Sequence, residues 1–320
     1  MSFFKSGNRA ADGSAAQNHK TATQVALPAP TDEAAKCPRK PILQLGKVAD
    51  RHDLLVYDMN HPRRGLAIIF NNVNYEKAGL DSRKGSEIDV DILKVTLKAL
   101  GFSVRIHDNL SGKRIRKQLR EYAYAEENKT SDCFFAAFLS HGNAGYIRTC
   151  DGDIINIDDI VGTFNIDKEI PSPLLKKPKI IVIQACRGEK AQTGEVGAGT
   201  PRLHPVVTEQ PRQYIAHGAD FALVLASASG CKAPRYSTEG SPLIQTLCDA
   251  LQKYAQTKDM DFSRICTALT YLVATTDEED VENPEEHDYQ TPLLETTLRK
   301  LLFLGIKAGG NVKGPCKVEK

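Results

Sequence analysis

Four short stretches of unbroken apolar character limit what this chain can become: "GLAIIF" at 65–70, "CFFAAFLS" at 133–140, "KIIVIQA" at 179–185 and "FALVLAS" at 221–227. A strand with one wet face alternates apolar and polar residues. These runs do not alternate, so both of their faces must be covered, which is the habit of strands in mostly parallel sheets. Helical patterns fill the intervals. In "GSEIDVDILKVTLKALG", Val90, Leu93, Leu97 and Leu100 share one face, Ser86 and Asp89 offer a capping box, and Gly101 ends the helix. "LSGKRIRKQLREYA" sets Ile115, Leu119 and Tyr122 against five basic residues, the pattern of a helix with a solvated charged face. "SPLIQTLCDALQKYA" and "DFSRICTALTYLV" each carry an apolar stripe at helical spacing. Strand and helix in alternation predict an α/β layered fold with helices on both sides of the sheet.

A net charge of +2 argues against a dedicated nucleic-acid or anionic-membrane surface. No apolar run approaches the roughly 20 residues that span a bilayer, and "MSFFKSGNRA" lacks the apolar segment of a secretory signal. The eight cysteines are scattered singly, without a CxxC pair or a His/Cys cluster at zinc spacing. A reduced, cytoplasmic protein without metal or cofactor is the expectation. Residues 1–55 are rich in Ala, Ser, Asn, Lys and Pro and read as a flexible arm, too short for a helical recruitment module. A second aperiodic stretch, the Gly/Pro-rich 191–218, is far longer than a normal connection and reads as a functional or cleavable loop.

The third apolar run ends in "QACRG", with Cys186 where a buried strand gives way to a polar loop. A lone cysteine after a strand is usually a small buried hydrophobe. Here the second run also ends in reactive residues, "LSHG", with His141 and Gly142. In open α/β sheets sites form at the carboxyl ends of strands. If these two strands are parallel neighbours, an imidazole meets a thiol although about 45 residues separate them.

Q-A-C-[RQG]-G with a histidine roughly 50 residues upstream is the caspase signature. Beyond the pentapeptide, "YDMNHPRRGLAIIFNNVNY", "LDSRKGSEIDVDIL", "LSHGNAGYI", "KIIVIQACRGE" and "GADFALVLASASG" resemble, in order, the successive blocks of a caspase, and the likeness runs over about 55–305. The resemblance implies a three-layer α-β-α sandwich around a six-stranded, mostly parallel sheet. It implies a short prodomain (1–55), a large subunit (56–190), an intersubunit linker (191–218), a small subunit (219–306) and a tail (307–320). Cys186 is then the nucleophile and His141 its base, with the oxyanion held by the N–H groups of Gly142 and Cys186. Arg83, Gln184 and Arg235 form a pocket for the aspartate side chain of a protein substrate, supported by Ser140, while backbone groups of Ala233 and Arg235 pair with the substrate as an added strand.

The same resemblance implies an effector-type caspase zymogen acting in apoptosis. Two large/small units would pair through a strand near Leu301–Leu304, with an upstream initiator caspase and inhibitor-of-apoptosis proteins as further partners. Two departures keep a rival open, a caspase-like regulator that binds without efficient cutting. Pro234 and Pro242 stand where many caspases have tryptophans, and Pro234 has no N–H to offer a substrate strand. The linker also contains no aspartate between Arg187 and Ala219, so Glu195 and Glu209 are its only acidic processing candidates; Asp12, Asp32 and Asp50 are candidates in the arm. A basic-specific relative would need an acidic pocket, and the two arginines speak against it.

Overall fold

Every apolar run becomes a strand of one sheet. The computed structural model describes residues 55–164, 172–188, 218–257, 259–275 and 290–307, all within the unit Val48–Lys320. The strands are β1 (Leu66–Asn71), β2 (Ser103–Asp108), β3 (Phe134–Leu139), β7 (Lys179–Gln184), β8 (Phe221–Leu225) and β9 (Leu293–Thr296), in the spatial order β2-β1-β3-β7-β8-β9. Neighbours are parallel throughout except for β9, which runs antiparallel to β8 at one edge. Three short strands, β4 (His141–Asn143), β5 (Tyr146–Arg148) and β6 (Ile154–Asn156), form a separate antiparallel sheet directly after β3.

The unbroken apolar runs feed two cores, because successive side chains leave a strand on opposite faces. On one face Ala67, Ile69, Phe135, Leu139 and Val182 meet α1 (Ser86–Ala99), α4 (Pro242–Tyr254) and α5 (Phe262–Thr275). On the other, Ile68, Phe70, Phe134, Phe138 and Ile183 meet α2 (Gly112–Ala123) and α3 (Ile157–Gly162). This is the three-layer α-β-α sandwich with a six-stranded, mostly parallel sheet. β2 escapes the apolar pattern because it lies at the sheet's other edge and is only partly buried.

Three local expectations need correction. Ser86 and Asp89 do not form a capping box: the N-cap is Gly85 at φ +85°, and no side chain caps the helix. Ser86 Oγ instead donates to Asn71 Oδ1 at 2.7 Å, and Asp89 accepts the N–H and hydroxyl of Ser241 at 2.8 and 2.7 Å. Nor is there a strand at Leu301–Leu304. The edge strand is β9, Leu293–Thr296, whereas Leu302 and Leu304 turn inward to the core and Leu301 makes only a single bridge to Val56. Ile115 and Leu119 are buried as expected, but Tyr122 packs on that core only half-buried, and Ala123 is the third fully buried member of the stripe. Pro242 does open α4 behind Ser241 as N-cap.

The 219–306 region is locked to the rest through Asp220. Its buried carboxylate accepts Arg299 Nε and Nη2 at 2.9 and 2.7 Å and the Tyr57 hydroxyl at 2.7 Å. Burial works to raise its pKa, but the bonds from Arg299 and Tyr57 outweigh burial and hold the carboxyl below its ordinary range. Stability from a group held low is present above its unfolded pKa and lost as pH falls through the folded one. Asp220→Asn should therefore cost about 2 kcal/mol at pH 7, read as a lower urea midpoint, and the gap to wild type should close as pH falls below about 4.

Candidate active site

β3 and β7 are parallel neighbours whose register ends on Leu139↔Gln184. The ladder continues one step, Ser140 N–H to the Gln184 carbonyl at 3.1 Å, and then both chains leave the sheet together. His141 and Cys186 thus depart from adjacent strand tips. Both line one cavity of about 220 Å³ with Arg83, Ser140, Gln184, Ala233 and Arg235. Gly142 lies at the same exit: a Cβ there would stand 3.1 Å from the Cys186 carbonyl, 3.0 Å from Ala185 Cβ and 2.7 Å from the Tyr146 carbonyl. Only glycine lets the chains close to this spacing.

The imidazole is held in one tautomer. His141 Nε2 lies 2.8 Å from the Asp81 carbonyl, which can only accept, so Nε2 carries the hydrogen and Nδ1 is the proton-free nitrogen of the neutral ring. Tyr75 packs its ring edge-on to the imidazole at 4.6 Å, and its hydroxyl accepts the His141 backbone N–H at 3.0 Å. The same hydroxyl meets Ser140 Oγ at 2.8 Å, and both hydroxyls reach the Arg148 carbonyl. Burial lowers the His141 pKa; the Asp81 bond opposes this, and the charges of Arg83 and Arg235 add to the lowering. The ring is therefore neutral at pH 7 and able to take a proton.

Cys186 is half-buried at the cavity wall. Its sulfur accepts the Ala233 N–H at 3.4 Å and lies 3.8 Å from the Ala233 carbonyl. The backbone expected to meet a substrate strand here meets the thiol. The loop after Cys186 is clamped on the 227–231 turn: Arg187 N–H donates to the Cys231 carbonyl at 2.9 Å, Gly230 N–H to the Arg187 carbonyl at 2.7 Å, and the Arg187 guanidinium to the Ser227 carbonyl at 3.1 Å.

The pocket's charge is its most telling property. Arg83 is 1% exposed, among the largest fully buried side chains. Its guanidinium donates to Ser86 Oγ at 2.8 Å and the Asn72 carbonyl at 3.3 Å, both neutral acceptors. Burial and then the charge of Arg235 bring its pKa down to about 10, which still leaves it charged at pH 7. Arg235 donates Nε to the Lys84 carbonyl at 2.8 Å, again a neutral acceptor. The nearby carboxylate of Asp89 spends its bonds on Ser241 and on Gln245 at 3.1 Å. Gln184 gives one amide N–H to the Pro234 carbonyl at 3.2 Å and keeps a second. Two guanidinium groups that bond no carboxylate among the described residues make a receptor for one.

Sequence reading missed Tyr75, Asp81, Asp89 and Arg187, whose parts in the site are tertiary contacts or backbone carbonyls. Pro234 adds its carbonyl to the site, where it accepts the Gln184 amide N–H. The processing candidates Asp12, Asp32, Asp50, Glu195 and Glu209 lie outside the described residues.

With this geometry in hand, likeness to known proteins has structural content. The caspase domain matches residues 64–303. Caspase-8 of Rattus norvegicus is 33% identical over 261 residues, which is 78% of this chain and 52% of that protein. Caspase drICE of Drosophila melanogaster is 33% identical over 257 residues, covering 80% of this chain and 74% of the relative. The chain spans about half the length of the caspase-8 relatives it matches. Among solved structures, caspase-1 from Spodoptera frugiperda superposes with a TM-score of 0.67 at 30% identity over 79% of this chain and 94% of that one. A cavity built from two strand tips, inside a domain match that takes in all of its residues, leaves one classification: the chain belongs to the caspase family.

Proposed function

We propose that this chain is a cysteine endopeptidase that hydrolyses proteins on the carboxyl side of aspartate. The observation that carries the reading is the pair of guanidinium groups, Arg83 and Arg235, beside Cys186 and His141, with no carboxylate bonded to either among the described residues. An aspartate side chain enters that pocket and is held by both arginines and by the free amide N–H of Gln184. The substrate backbone displaces Ala233 from the Cys186 sulfur and pairs with it as an added strand. His141 Nδ1 takes the thiol proton, and the thiolate attacks the scissile carbonyl carbon. The oxyanion is received by the N–H groups of Gly142 and Cys186. His141 then gives its proton to the departing amine, the C–N bond breaks, and a thioester remains on Cys186. Water, deprotonated by the same imidazole, hydrolyses the thioester and restores the thiol.

Within this reading residues 56–190 and 219–306 are the large and small subunits, 191–218 the linker between them, and the outer edge of β9 the seam for a second copy. The resemblance carries an effector role in apoptosis, and the six cysteines among the described residues, all unpaired, fit a reducing cytoplasm. Maturation cannot use an aspartate of the linker, and Asp220 is buried in its ion pair. One extra methylene typically costs only about 1–3 kcal/mol in discrimination, so Glu209, in "VVTEQ", is the proposed cut.

A positional peptide library should show turnover after aspartate, absent in Cys186→Ala. Arg235→Ala should lower kcat/KM by about tenfold to a hundredfold through loss of one charge-assisted contact. Equal silence from wild type and Cys186→Ala would sink the peptidase reading in favour of the binding-only regulator. Because burial lowers the His141 pKa, the neutral base persists to more acidic pH than for free histidine, and the acid limb of kcat/KM should fall below about pH 6.5. An acid limb above pH 7 contradicts that assignment. Native mass spectrometry of the active form should find pieces meeting at Glu209–Gln210 and two copies per particle; a new terminus elsewhere in the linker rules out this site.

A further inference from the structure

β7 delivers Cys186 at one end of the sheet, and its other end begins with a residue that the peptidase chemistry does not use. Lys179 is buried, five residues and about 17 Å along the strand from Gln184. Its ammonium donates to the Lys177 carbonyl at 2.9 Å, reaches the Leu174 carbonyl at 3.5 Å, and sits 4.8 Å over the Phe221 ring. Among the described residues those contacts use two of its three N–H groups. Asp220 stands nearby, but its carboxylate is taken by Arg299 and Tyr57, and no ion pair joins it to Lys179 among the described residues. Burying a cation without a bonded anion is costly, and such groups cluster at functional sites.

Lys179 lines a second cavity, of about 220 Å³ like the first. Phe164, Phe221 and Leu174 give it apolar walls; Arg299 and the exposed Lys176 add positive charge, and the Asp220 carboxylate in the same wall is already bonded by Arg299 and Tyr57. We propose that this cavity is a binding site for a small organic carboxylate with an apolar body, its anionic head on Lys179 and its body against Phe164 and Phe221. The site is separate from the catalytic cavity and requires no peptidase activity, so the two readings fail independently.

Benzoate is the probe, titrated into the full chain by calorimetry with thermal unfolding as a parallel readout. Saturable binding is expected, weakened by at least about tenfold in Lys179→Met, as loss of a charge-assisted bond implies. The exposed Lys176→Glu keeps the fold should Lys179→Met fail, and it too should weaken benzoate. Arg235→Ala, in the other cavity, should leave binding intact, and neutral benzamide should not bind. Burial brings the Lys179 pKa down to about 8, so affinity should fade between pH 7 and 9. Of the groups facing Lys179, Asp220 and Arg299 keep their charges over that interval, the Tyr57 phenol behind Asp220 stays neutral, and Lys176 is the remaining charged neighbour. Undiminished binding in folded Lys179→Met, benzamide binding as well as benzoate, or loss of binding in Arg235→Ala would each overturn the proposal.

Discussion

The pairing of β3 with β7 is the constraint on which the rest depends. Two parallel strands with matched ends put whatever follows them side by side, and the residues that follow are His141 and Cys186. A shift of one residue would turn every side chain of the strand to the opposite face and exchange the two cores. The register is therefore set by burial along the whole length: Phe134 through Leu139 and Lys179 through Gln184 are buried without interruption. Packing energy spread over a dozen residues holds the two strand tips in place, and no contact within the cavity has to do so alone.

The second determinant is electrostatic. Folding places a guanidinium in a fully buried position whose acceptors, among the described residues, are all neutral, and there its charge is least well solvated. The fold tolerates this because Arg83 is ringed by Ser86, Asn71 and Asn72, and because Asp89 lies near enough to offset part of the charge without bonding to it. Asp89 also grips the start of α4 through Ser241 and Gln245. One buried carboxylate thus joins α1 to α4 beneath the pocket and steadies the walls that the arginines stand on.

Much of this was legible in the sequence. Continuous apolar runs marked the central strands, because burial on both faces leaves no other pattern, and helical stripes marked α1, α4 and α5. Cys186, His141, Arg83 and Arg235 stood in motifs specific enough to be named, and the fold brings them to one cavity. What escaped was set by contacts between distant segments. The small β4–β5–β6 sheet has strands of three residues, below the length at which a period is visible. Asp89 sits at capping-box spacing from Ser86, but a tertiary partner, Ser241, outcompetes the local one. The strand near Leu301–Leu304 is implied by the resemblance alone, and β9, a few residues earlier, occupies the sheet edge instead. His141's tautomer is decided by a carbonyl, which no side-chain pattern reveals.

The strict division of each strand between two cores has a consequence for how this protein tolerates change. Ile69 and Ile68 are adjacent in the chain, yet they belong to different packing environments that meet only through the backbone between them. Volume lost in one compartment is felt first by neighbours in that compartment, since those side chains lose the contacts directly, and it reaches the other layer only through the backbone of the sheet. Drift in the layer under α2 and α3 therefore acts first on that layer, and the layer of α1 and α4, where Asp89 supports the arginines, receives it one step later. The sheet acts as a partition, and the half of the molecule that bears the pocket's foundations accumulates substitutions on its own account.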